Sequence, residues 1–86
     1  MVKIWAKTMN GDKVKKDIIY EAVGSFHANE LYLHMQTICH RLDIPCPVVL
    51  KSHEHNLMEF NNCVFVPRDF VESINFSKLV IENVKE

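Results

Sequence analysis

Glycine is scarce in this 86-residue chain: there are two, Gly11 and Gly24, standing apart. A glycine-rich loop able to cradle a phosphate is therefore missing, and with it the nucleotide-binding fingerprints that need one. The three cysteines form an odd set with no CxxC pair, which argues against a secreted disulfide framework and for reduced thiols. No apolar run reaches membrane-spanning length, and none follows a basic start as in a signal peptide. HExxH, paired catalytic carboxylates and a nucleophile motif are also absent. Net charge is only −1, so the chain as a whole has no electrostatic pull towards nucleic acid. From these absences we expect a complete cytoplasmic protein that is not an enzyme and carries no cofactor.

What remains is ordinary globular composition, 48% hydrophobic and 24% charged, with length for one domain over residues 1–86. A domain this small is marginally stable alone, which keeps a homodimer among the expected states. Charge is unevenly placed. Five lysines (Lys3, Lys7, Lys13, Lys15, Lys16) face two aspartates in residues 1–20, and acidic residues prevail in the remainder.

The dominant element is the run Ser25 to Asp43. Ala28, Leu31, Tyr32, Met35, Ile38, Cys39 and Leu42 follow the i, i+3, i+4, i+7 spacing of one helical face. Ser25 or Asn29 would open this helix, and Pro45 ends it near Asp43 by pushing Ile44 out of helical angles. Before it, Val2, Ile4, Ala6 and Thr8 alternate with Lys3, Trp5, Lys7 and Met9, the period of a strand. Asn10-Gly11-Asp12 turns that strand into a second one carrying Val14, Ile18 and Tyr20 on one face. After the helix, Val48–Lys51 reads as a buried strand and 52–56 as a loop. Leu57–Phe60 and Cys63–Val66 read as a hairpin around Asn61-Asn62. Pro67 opens a single helical turn, and residues 78–84 form a last strand. The expected fold is α+β: a two-layer sandwich with one main helix on a mixed sheet of four or five strands.

This order, and the opening MVKIWAKTMNGDKV with its helix exit at Ile44-Pro45, resembles the β-grasp, or ubiquitin-like, family. The resemblance implies a β-grasp-like order. It does not extend to conjugation chemistry, because Val84-Lys85-Glu86 lacks a terminal Gly-Gly. ICHRLDIPCPVVLK and FNNCVFVPRDFVESINFSKLVIE also resemble small uncharacterised bacterial proteins, which implies no activity.

Three sets of residues are candidates for function. His53 and His55, two apart, would point the same way in an extended segment and could chelate zinc with Cys63 (or with Glu54, Cys46 or His40) as a further ligand. Against this, zinc sites usually show a CxxC or HxxxH pair, and two solvated loop histidines are the plainer reading. The hairpin lysines with Trp5 could contact nucleic acid, yet exposed strands carry lysine simply to stay soluble. Finally, Leu33 and His40 on the polar side of the helix, with Trp5 and Met9 on the outer sheet face, form a candidate surface for a protein partner, another copy of the chain included. Cys39 belongs to the buried stripe, whereas Cys46, between two prolines, is a thiol exposed to reaction but without an oriented base. The favoured expectation is a non-catalytic protein-interaction module; zinc binding and nucleic-acid binding are the alternatives.

Overall fold

The structure is a computed structural model and describes residues 1–84; Lys85 and Glu86, read above for the missing Gly-Gly, lie outside them. Strands β1 (Val2–Asn10) and β2 (Lys13–Ala22) form the opening hairpin. Gly11 takes φ +60° at its tip, a conformation that costs glycine nothing. The Ser77 hydroxyl accepts from the Gly11 N–H at 2.9 Å and donates to the Met9 carbonyl at 2.8 Å, which clips the turn to the later chain. A three-residue 3₁₀ turn, Ala28–Glu30, leads into helix α1 (Leu31–Leu42), followed by helix α2 (Lys51–Phe60). Strand β3 (Asn62–Phe65), a second 3₁₀ turn (Pro67–Asp69) and strand β4 (Lys78–Asn83) complete the fold.

The four strands lie in the order β2-β1-β4-β3, every pairing antiparallel. The fold is thus α+β, a four-stranded antiparallel sheet with two helices. It departs from the mixed sheet, and α2 stands where the β-grasp-like order puts strand and loop, so that resemblance holds only loosely.

Alternation decides what each sheet face does. Val2, Ile4, Ala6 and Thr8 of β1, with Tyr20, Cys63, Phe65, Leu79 and Ile81, are buried on one face. Leu31, Met35, Ile38, Cys39 and Leu42 of α1 and Leu57 of α2 pack onto them as a single core. Phe70 and Phe76, edge-to-face at 5.7 Å, close it from the 66–77 connection.

Several expectations change. α1 starts later than Ser25, because Phe26 turns in against the core instead of joining the helix. Tyr32 is half exposed, at the rim of the buried stripe. A bulge between Thr8 and Met9 leaves Lys15 unpaired and matches Met9 with Val14, so Val14 faces out, away from Ile18 and Tyr20. The strands expected at Val48–Lys51 and Leu57–Phe60 are absent: residues 51–60 are helical, and Asn61 (φ 59°) ends that helix in the left-handed region instead of turning a hairpin.

The helix exit is as expected. Asp43 (φ 57°) donates its N–H to the His40 carbonyl, and Ile44 donates to Cys39, each at 3.1 Å, before Pro45 forbids another turn. Lys16 Nζ adds a donor to the Leu42 carbonyl at 3.3 Å, placing a cation at the negative helix end.

Candidate interaction surface

Both helices pack on one side of the sheet, and among the described residues no element covers the other. The pairing register reads out that uncovered face in rows. Ile19, Trp5, Glu82 and Asn62 lie side by side across β2, β1, β4 and β3; Asp17, Lys7, Val80 and Val64 form the next row. Glu21 and Lys3 flank them on one side, and Val14, Met9 and Lys78 on the other. Cross-strand neighbours on one face stand close enough to touch. The apolar side chains Ile19, Trp5, Val80, Val64 and Met9 are therefore contiguous across all four strands. Phe60, 65% exposed, borders the patch beside Asn62 and Glu82.

Trp5 is held at the centre. Its indole N–H donates to Asp17 Oδ2 at 2.8 Å, and Lys7 Nζ sits 3.8 Å above its ring. These contacts hold a large amphipathic side chain in one position, so little side-chain freedom is left to lose. Lys3, Lys7 and Lys78 on this face are interleaved with Asp17, Glu21 and Glu82. Basic and acidic side chains therefore alternate on this face instead of forming one positive patch, and one face of the Trp5 ring is occupied by Lys7.

The structure separates the four residues expected to form one interaction surface. Trp5 and Met9 lie on the open sheet face. Leu33 and His40 are exposed on α1, across the core from them. Ile19, Val64 and Val80 complete the patch instead. Val80 was legible as the outward member of an alternating strand; Ile19, beside Ile18, gave no polar contrast to mark its face.

The zinc candidates do not converge either. His53 and His55 are on α2, where residues two apart point about 200° away from each other. His55 is exposed; His53 is buried and stacked on Phe65 at 4.1 Å. Its Nδ1 accepts the Leu50 N–H at 2.9 Å and its Nε2 faces Asp69 Oδ2 at 3.4 Å, so both ring nitrogens are engaged. Cys63 sits in the core. Among the described residues, no three His, Cys, Asp or Glu side chains gather in a way that could hold a metal ion.

The same geometry gives His53 and Asp69 a capping task. Leu50, the N-cap of α2, has no side-chain oxygen, and His53 supplies the acceptor from inside the first turn. Asp69 Oδ2 also accepts the Val66 N–H at 2.9 Å, opening the 3₁₀ turn. A second aromatic pair, Tyr20 hydroxyl with His34 Nδ1 at 2.8 Å, anchors α1 to β2.

No family model, curated protein or solved structure matches the chain.

A groove of about 540 Å³ runs between the 26–29 segment and α2, lined among others by Phe26, His27, Glu54 and Met58. His27 and Glu54 are its titratable groups, and no cysteine, serine or threonine lines it as a nucleophile.

Proposed function

We propose that the chain is a non-catalytic protein-interaction module that works in the cytoplasm and docks a partner protein on the open face of its sheet. The observation that carries this reading is the apolar patch of Ile19, Trp5, Val80 and Val64, which spans two adjacent rows over four strands and is left uncovered by both helices. A face with apolar centre, fixed aromatic anchor and a rim of mixed charge has the composition of a docking surface. The three free cysteines fit a reducing compartment.

The test is a charge placed in that patch. Ile19 is 43% exposed, so Ile19→Asp leaves the core intact. Binding to a protein captured by the wild-type chain is expected to fall about tenfold or more, on the scale of interface hot spots. Unchanged binding by a folded Ile19→Asp protein contradicts the proposal. Sedimentation of the purified protein separates the two kinds of partner: a concentration-dependent dimer lost in Ile19→Asp identifies a second copy, and a monomer rules a second copy out.

A further inference from the structure

The exit of α1 holds a pair of thiols that the docking surface does not use. The left-handed Asp43 folds the chain back so that the Ile44 N–H bonds the Cys39 carbonyl at 3.1 Å. Pro45 continues this return, and Cys46 follows two residues after Ile44. Cys39, Ile44 and Pro45 line one shallow surface pocket together with His40, Asp43 and Glu72. The backbone thus brings Cys46 back towards the helix turn that carries Cys39, near enough for the two thiols to influence each other. Both are free in this structure.

Their surroundings are unequal. Cys46 is exposed, whereas Cys39 is only 2% exposed. We propose that Cys39 and Cys46 form a reversible dithiol–disulfide site, in which a hydroperoxide oxidises Cys46 and Cys39 resolves the product.

The division of labour follows from access and charge. The exposed Cys46 thiolate attacks a peroxide oxygen, the O–O bond breaks, and the released alkoxide or hydroxide takes up a proton. Cys46 is then a sulfenic acid. The Cys39 sulfur attacks the Cys46 sulfur, the S–O bond breaks, and the departing hydroxide leaves as water with the Cys39 proton. In total, two thiols and one hydroperoxide give one disulfide, one alcohol (water when the oxidant is hydrogen peroxide) and one water. Burial, followed by the proximity of Cys46, pushes the Cys39 thiol well above its ordinary pKa. Cys39 therefore stays protonated and does not meet the oxidant first. The third cysteine, Cys63, is on β3 within the core and takes no part.

The closed bond would tie the last turn of α1 to the 44–50 connector. That connector is itself fastened to the 67–69 turn, where the Val48 N–H donates to the Asp69 carbonyl at 2.8 Å.

Peptide mapping of the full-length reduced protein after hydrogen peroxide treatment tests the site. Remaining thiols are alkylated under denaturing conditions, and trypsin cleavage after Arg41 puts Cys39 and Cys46 on separate peptides. The expected result is a disulfide-linked pair of those peptides, alkylation of Cys63 alone, and return of all three thiols after dithiothreitol. Cys63→Ser is expected to leave the linked pair unchanged. Three alkylatable thiols after peroxide, a Cys46–Cys46 link between molecules, any link to Cys63, or sulfinic acid at Cys46 with Cys39 still free would each overturn the proposal. The wild-type measurement needs no variant, so a misfolded Cys39→Ser protein does not blur it.

Discussion

Nε2 of His53 faces Asp69 Oδ2 at 3.4 Å, and this contact joins the start of α2 to the turn that precedes the last strand. Because Nδ1 accepts the Leu50 N–H, the ring proton resides on Nε2 and points at the carboxylate. His53→Ala removes the helix cap, the stack on Phe65 and the partner of Asp69 together. We expect a loss of about 2–4 kcal/mol, the sum expected for a cap and a buried aromatic contact. Asp69→Asn keeps an acceptor for Val66 and should cost less, about 1 kcal/mol. Urea denaturation of both variants measures the difference, and equal costs would refute the capping role.

Burial ranks the helix positions. Met35 and Ile38 are fully buried on α1, and Leu33 is 46% exposed on its far side. Met35→Ala or Ile38→Ala is expected to cost about 2–5 kcal/mol, and Leu33→Ala within about 0.5 kcal/mol. Comparable losses at Leu33 and Met35 in a denaturant titration would contradict the packing described.

Asn61 ends α2 at φ 59°, a conformation a β-branched residue resists. Asn61→Val should therefore cost about 1–2 kcal/mol and Asn61→Gly almost nothing. Thermal unfolding of the two variants gives the answer, and a Val variant as stable as the Gly variant would remove the left-handed cap.

The sequence made the first hairpin, α1 and its exit legible because each has a strong local signal. Alternation marks β1, Gly11 the turn, a wide apolar stripe the helix, and Pro45 its end. α2 was hidden for a physical reason. Its buried residues are only His53 and Leu57. A histidine counted as polar erases the 3.6-residue rhythm, and the apolar Met58 and Phe60 are exposed instead. The cap was invisible too, since Leu50 is not a capping residue and the acceptor comes from His53. Part of the open-face patch followed from Trp5 and Met9, and from Val80 as the outward member of its strand. The rest depends on the register between β1, β2, β3 and β4, which no local pattern specifies.

Burial also protects the core thiol. Cys63 is pushed from its ordinary 9.0 up to about 12 by desolvation, so the fold favours its neutral form. Its folded pKa lies above its unfolded one, so the stability it contributes is whole below pH 9 and is lost as pH rises towards 12. We expect the unfolding free energy of wild type to fall more steeply than that of Cys63→Ala across this window, by at most about 1.4 kcal/mol per pH unit. Parallel pH profiles for the two proteins would show that Cys63 does not titrate on unfolding.

The most direct test of the open sheet face is site-specific photo-crosslinking in the cells that make the protein. A photoreactive side chain in place of Ile19 reports on the uncovered row, and one in place of the exposed Gln36 reports on the far side of α1. A discrete adduct is expected from position 19 and none from position 36. No adduct from position 19, or one from position 36 alone, would contradict it.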